Sequence, residues 1–555
     1  MKAMTSILRI AGVGLAAGCV LATQVVAAQN TRANAEKDPV LKAMLDEMDR
    51  SMSDLQLKGF AKPFFIQYRI EDVDNLEMRA EFGASEGTQK THQRVARVTV
   101  RVGDYKTDSS GARNDGSLEI ASLENDPIAL RTALWDATDS AYKNALAAYA
   151  QKQAAMKQVQ TQPQADDFSQ EKPVIALGKP ATLSVDEAAW MNRVAQTSGI
   201  YRTNAAVKAN QRNLQYSNAA FHARVTTTYL VSSEGTILRK GESEYQQTIA
   251  VGTQADDGMH IDRSYASVGS SLSDLDSPEV FEKHVVEDIV SLETLRNAPL
   301  VEEEYHGPVL LSADAATDTL RALLATSLVA TRPQLGTEAR TNGAFASSFH
   351  ARVLPEFLNV VDDPGLRNYN GRGLLGTYEY DDEGVPAQPV NLITDGKLMS
   401  YLIGRQPVKD IGQSNGHGRG GITGAARPVI GVLKISANQG LSDGELNQKL
   451  LELMKDKGLK SAYYVQTLAG AGNPRVLYRL SADGTRQLVR GAVLDDIDQR
   501  ALRSGVLAAG KELDITNYYG DVPQTVLAPA LLLDDVTVKR ANSRNDSLPY
   551  YPPPE

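Results

Sequence analysis

The sequence predicts an α+β protein: an N-terminal α+β domain followed by a C-terminal domain dominated by a curved, barrel-like antiparallel β-sheet. Three observations predict it. Helical-period stripes near the start and after Asp126 alternate with runs of β period. Beyond about residue 300, hairpin signals crowd together at Glu383-Gly384, Asp395-Gly396 and Asp483-Gly484, with one helix among them. A chain of 555 residues, 42% hydrophobic and 23% charged, has the composition and length of a soluble protein of roughly two to four domains.

The elements follow in order. Lys2 and Arg9 precede the apolar residues 10–22, and Val26-Ala27-Ala28 offers a small-x-small cleavage site. Residues 1–28 therefore form a secretory signal peptide, too short to span a bilayer, and the expected destination is periplasmic or secreted. Cys19 is the only cysteine. It offers a lipoprotein alternative, against which Ala16 stands where a lipidation motif has a leucine-like residue. Cleavage after Ala28 leaves no cysteine, which excludes disulfides and thiolate metal sites. No later stretch is long and apolar enough to span a membrane.

The N-terminal domain is assigned to residues 29–300. Leu41, Met44, Leu45 and Met48 recur at helical spacing over residues 38–52. Strands are expected over 64–70, 76–82 and 95–102. In the last, Val98, Val100 and Val102 alternate with Thr99 and Arg101, the period of a sheet with one wet face. Asp126-Pro127 starts a long helix as cap and first-turn proline. Residues of about 160–180, opening on a Gln, Asp and Pro-rich stretch, form a flexible excursion. Strands with a Glu234-Gly235 turn cover 216–257, and a helix covers 277–296.

The C-terminal domain is assigned to 301–542, with a Pro-rich disordered tail at 543–555. A strand at 308–311 leads into an amphipathic helix over 312–329, in which Leu320, Leu323, Leu324 and Leu328 form the buried stripe. Strands follow at 390–394 and 398–403. Ser442 and Glu445 make a capping box, and Gly458 ends that helix.

Several blocks in this half stand in a specific order. Val360-Val361-Asp362-Asp363-Pro364 leads to Tyr378-Glu379-Tyr380-Asp381-Asp382-Glu383-Gly384-Val385-Pro386, then Leu392-Ile393-Thr394-Asp395-Gly396-Lys397-Leu398, then Ser414-Asn415-Gly416-His417-Gly418-Arg419. With Arg490-Gly491 and residues 528–538, they resemble the TldD/PmbA family, a metallopeptidase-related group. Residues 64–104 and 253–258 resemble its exported members. The resemblance implies a two-domain protein that forms a dimer of related subunits, the pair cleaving unfolded or extended peptides. It also implies that the active subunit carries HExxxH on a helix after a strand, with a cysteine near the C-terminus completing a zinc site. Counted without gaps from Pro308-Val309-Leu310-Leu311, the histidine places fall at Arg321 and Thr326 and the glutamate place at Ala322; residues 518–538 contain no cysteine. The chain therefore resembles the metal-free TldE/PmbA-type subunit. Zinc needs imidazole, thiolate or carboxylate donors, and an arginine adds a fixed positive charge instead.

Other motifs read as structure. His284, Glu287 and Asp288 share a helix face but sit in mixed charge, which favours a solvated surface. His222, His306 and His350 are isolated. The GxSxG match at Gly83–Gly87 has no helix behind it and fits a hairpin turn. The GxGxxG match at Gly416–Gly421 precedes a strand, against dinucleotide binding. Asp381, Asp382 and Glu383 suit turn chemistry.

The glycine-rich loop remains the candidate peptide-binding surface, through Asn415, Gly416, His417, Gly418 and Arg419. Many backbone groups there have no side chain to shield them. The formal charge of -10 without a Lys/Arg cluster argues against nucleic acid. The expected function is that of an exported, non-catalytic subunit in a peptide-processing metallopeptidase assembly. It needs no cofactor of its own, and zinc is expected only on a TldD-like partner. The alternatives are an active peptidase with an unrecognised site, or a stand-alone periplasmic peptide-binding homodimer.

Overall fold

The computed structural model describes residues 30–110, 115–159, 165–470 and 472–542. The expected signal peptide with Cys19, and the expected tail, lie outside the described residues. Helix α1 (Pro39–Asp54) starts at Asp38, whose carboxylate accepts the N–H groups of Val40 at 2.9 Å and Leu41 at 3.1 Å. Its stripe Leu41, Met44, Leu45 and Met48 is buried. Helix α2 (Pro127–Met156) is capped in the same way by Asp126.

These helices pack on β1 (Pro63–Glu81) and β2 (Ala84–Val102). Two strands were expected where β1 runs unbroken for 19 residues. Continuous ladders to β2 and β5 (Tyr216–Ser232) carry the chain through Glu71–Asn75, where sequence alternation is weak. The β1–β2 turn places Phe82 at φ 48° and Gly83 at φ 84°, both left-handed, as a two-residue hairpin requires. Strands β3 (Ser117–Ile120), β4 (Ile175–Leu177), β6 (Ile237–Gln254) and β7 (His260–Gly269) complete a seven-stranded sheet. Its order is β3-β2-β1-β5-β6-β4, with β7 also on β6.

One face of β1 is apolar towards both ends, with Asp72 and Asp74 between the two apolar stretches. Ile66, Tyr68 and Ile70 lie under α1 and α2, while Leu76, Met78 and Ala80 lie under α3 (Glu187–Ser198) and α4 (Pro278–Arg296). The opposite face is charged. Cross-strand pairs there are Arg69 with Arg97, Glu71 with Thr228, Thr228 with Lys240 and Arg224 with Glu244. The Val98–Val102 alternation suggested that this face is wet. It is instead covered: Arg69 is 2% and Arg101 7% exposed, because the second sheet's loops pack on it. The excursion is also tied down within its described part. Asp167, Phe168 and Ser169 are buried, with Phe168 between Phe65, Arg101 and Arg405.

The second sheet is built from β8 (Tyr305–Leu311), β9 (Leu358–Asp362), β12 (Val390–Thr394), β13 (Lys397–Leu398), β16 (Val432–Ala437), β17 (Ser461–Leu468), β18 (Pro474–Ser481), β19 (Arg486–Val489), β20 (Ala492–Asp495), β21 (Val506–Tyr518) and β22 (Gln524–Arg540). Two short ribbons, β10–β11 (Asn368–Tyr369, Arg372–Gly373) and β14–β15 (Gly418–Arg419, Arg427–Pro428), stand beside it. The order β13-β12-β9-β16-β22-β8-β17-β18-β19 has two free ends, so the sheet is open and not a closed barrel. Two of its pairings, β16 with β22 and β8 with β17, are parallel. Helix α5 (Ala313–Leu324) covers one face and α6 (Asp443–Asp456) the other, which explains why β8 and β22 are apolar on both sides.

Candidate functional site

Two places carry functional side chains. The first is α5. Ser312 caps it by accepting the Ala315 N–H at 3.1 Å, and Ala315, Ala316, Leu320 and Leu324 bury its inner face. The helix ends at Leu324, short of the expected 329, so only part of the leucine stripe lies on it. Arg321 is in the last turn. Its guanidinium lies 4.1 Å from the centre of the Tyr518 ring, and its Nε donates to Gln524 Oε1 at 3.1 Å. Tyr518 donates to Asp318 at 2.7 Å; burial, then Asp318, raises the phenol well above its ordinary value. Ala322 is exposed, and Thr326 is exposed in the turn beyond the helix. Arg321, Ala322 and Thr326 thus do not share one helical face. Among the described residues, no group of three or more His, Cys, Asp or Glu side chains is arranged to hold a metal ion.

The second place is the contact between the two sheets. A cleft of about 810 Å³ opens between the Lys240–Glu244 stretch of β6 and turns at Pro364, Tyr378 and Pro386, with Arg419 in its wall. β4 pairs with Ile237–Arg239 and β7 with Tyr245–Gln254, so among the described residues no strand pairs with the intervening stretch on that side.

The glycine-rich loop forms the far side of this contact, and its backbone is not open as expected. Gly416 N–H donates to Ser414, Gly418 N–H to Asp381 and Gly420 N–H to Asp382. Gly416 has φ 74°, and a Cβ there would come within 2.3 Å of Pro386 O. His417 is fully buried, 3.1 Å from Asp362 through Nε2, with Nδ1 3.0 Å from Asn415 O. Asn415 donates to Tyr401 O and accepts the Ile403 N–H. Arg419 is 6% exposed, 4.2 Å from the Tyr378 ring centre and 3.6 Å from Asp382.

Asp381, Asp382 and Glu383 divide the work. Asp381 performs the expected turn chemistry, accepting the N–H groups of Glu383 and Val385, and also holds Gly418. Burial, then Glu383, pushes its carboxyl up, while the bonds from Val385 and Gly418 resist. Asp382 does something the sequence did not reveal: it faces Lys240 at 3.1 Å, Arg69 at 3.5 Å and Arg419 at 3.6 Å. Burial alone would raise it, but those cations hold it far below the usual carboxylate range. Glu383 accepts the Arg405 N–H at 2.7 Å. Around them, burial raises Glu71 to about 7, and raises Glu244 to about 7 despite Arg224 at 2.7 Å. The signal for Lys240, Glu242 and Glu244 was their alternation along β6, which reads equally well as a solvated face.

His284 stacks on Tyr265 at 4.1 Å, and Asp288 is buried against Arg263 rather than sharing a solvated face. No helix among the described residues is long and apolar enough to cross a membrane.

Comparisons with known proteins fit this architecture. Residues 304–540 match the PmbA/TldA metallopeptidase C-terminal domain. The chain is 24% identical over 250 residues to the metalloprotease PmbA of Escherichia coli, covering 45% of this chain and half of that relative's length. It is 23% identical over 354 residues to a PmbA homolog of Haemophilus influenzae, covering 62% and 72% of the two chains. In three dimensions it is similar to TldE from Thermococcus kodakarensis, with a TM-score of 0.59 at 14% identity over 90% of this chain and 100% of that one. The ordered blocks from Asp362 to Arg419, the helix-flanked second sheet and these matches together place residues 304–540 in the metallopeptidase-related TldD/PmbA family, and the chain as a whole shares the TldE fold.

Proposed function

We propose that this chain is the exported, non-catalytic subunit of a peptide-processing assembly, working beside a zinc-bearing TldD-like partner in the periplasm or outside the cell. The observation that carries the proposal is Arg321. Where the family's active subunit would need a neutral donor, this chain has a fixed cation engaged by Tyr518 and Gln524. The partner's zinc would activate the water. This chain would contribute substrate handling through the cleft. The edge of Lys240–Glu244 away from β5, on which no strand pairs among the described residues, suits an extended peptide, which can add to a strand edge, and Arg419 supplies a cation in the same wall. Asn415, Gly416, His417 and Gly418 would act by fixing Arg419 in place rather than by touching peptide.

Expression of the chain with a secreted HExxxH homologue from the same genome tests the proposal. A stable complex that cleaves an unfolded polypeptide, with neither chain doing so alone, is the expected result. Recovery of homodimers only would overturn the partner assignment.

A further inference from the structure

We propose that the Arg69–Arg97–Arg101 face of the first sheet is a binding pocket for a small oxyanion. The site is distinct from the cleft and does not depend on the function proposed above. These arginines, with Gln67 and Thr99, line a void of about 60 Å³ beneath Asp382 and Glu383. One water needs roughly 10–15 Å³ on the same measure, so the void has room for a tetrahedral or planar oxyanion.

The register creates the site. Arg69 and Arg97 are direct cross-strand partners, and Gln67 is opposite Thr99. Like charges placed so repel each other unless something lies between them. Arg69 and Arg101 have carboxylates nearby, but Arg97 has no ion pair among the described residues. Its guanidinium donates to the backbone carbonyls of Thr423 and Asp115. Burial, then the Arg69 charge, lowers its hold on the proton, while the charge of Asp115, which also lines the void, opposes this.

Buried donors are also left over. Arg69 Nε and Arg101 Nε are shielded from solvent without a hydrogen-bond acceptor, Arg69 Nε being 3.3 Å from Glu71 but not aligned with it. A buried donor left unsatisfied is costly, and an oxyanion supplies acceptors for several at once. The acidic wall does not do this. Asp382 is shared among Lys240, Arg419 and Arg69, and Glu383 is taken by the Arg405 N–H. Gln406 is exposed and Arg97 and Thr99 are half-buried, so this wall communicates with solvent.

Two sources share the required chemistry: free inorganic phosphate and the terminal carboxylate of a peptide. Calorimetric titration of the full chain with inorganic phosphate, and with a short N-blocked peptide in free-acid and amidated forms, distinguishes them. Saturable binding with one site per chain is expected, weakened roughly tenfold or more by Arg97→Gln and partly kept by Arg97→Lys. Competition between phosphate and the free-acid peptide, but not the amide, would identify the peptide terminus. Phosphate binding without such competition would identify the free ion. Should Arg97→Gln fail to fold, Thr99→Val removes a lining hydroxyl and must weaken binding instead. Absence of saturable binding by either ligand, or unchanged affinity in the folded variant, overturns the proposal.

Discussion

Asp382 is the residue on which the junction between the two sheets turns, since one buried carboxylate faces Lys240, Arg69 and Arg419. Replacing it with Asn leaves those cations uncompensated and should cost about 3–5 kcal/mol in denaturant unfolding. A loss within 0.5 kcal/mol would show that the network is hydrated. Glu244 gives a second test, through pH. Burial raises it to about 7, above its unfolded value, so the folded state binds its proton more tightly. Its contribution is then fully present below the unfolded value and is lost as pH rises through about 7. Unfolding of Glu244→Gln at pH 5 and pH 8 should show the variant gaining on the parent with rising pH, by about 1–3 kcal/mol; the opposite trend would mean that Arg224 governs the group. At this scale the sequence was half legible. Asp381-Asp382-Glu383 suits a turn, and Asp381 makes one, but no local pattern shows that Lys240, 142 positions away, meets Asp382.

Elements are more legible because their signals are local. The cap at Asp126 and the Ser442–Glu445 box form as the sequence specifies, since a cap depends only on residues a few positions along the chain. The turn at Asp395-Gly396 likewise has both residues at positive φ. What misleads is length. α5 stops at Leu324 although the leucine stripe continues to Leu328, because residues beyond the helix can also supply the core. β1 runs through a stretch of weak alternation because both neighbours pair with it. Two predictions belong here. The combined variant Arg321→His, Ala322→Glu, Thr326→His should not acquire stoichiometric zinc in metal analysis, since position 326 lies past the helix; one tightly held zinc per chain would show that the turn can rewind. Gly416→Ala should lower stability by at least about 1–2 kcal/mol in thermal or chemical unfolding, because the residue is left-handed and its Cβ meets Pro386 O.

For the whole molecule, the decisive feature is that the centre of the first sheet, around Gln67–Glu71 of β1, has two buried faces of opposite character. The apolar one, under the helices, was legible from periodicity. The charged one was not: alternating Val with Thr and Arg is what a solvated strand looks like, and only tertiary contact turns it into an interface. The glycine-rich loop was misjudged for the same reason, since the acceptors for its N–H groups come from Asp381 and Asp382. The cleft bordered by this charged face is the proposed peptide site, and Arg419→Gln should weaken binding of an extended peptide roughly tenfold in a titration; unchanged affinity would place the peptide elsewhere. The most direct measurement is hydrolysis of an unstructured polypeptide by the purified chain alone, with and without a zinc chelator. No chelator-sensitive cleavage is expected, because Arg321, Ala322 and Thr326 offer no zinc ligand set; cleavage that the chelator abolishes would contradict the non-catalytic assignment.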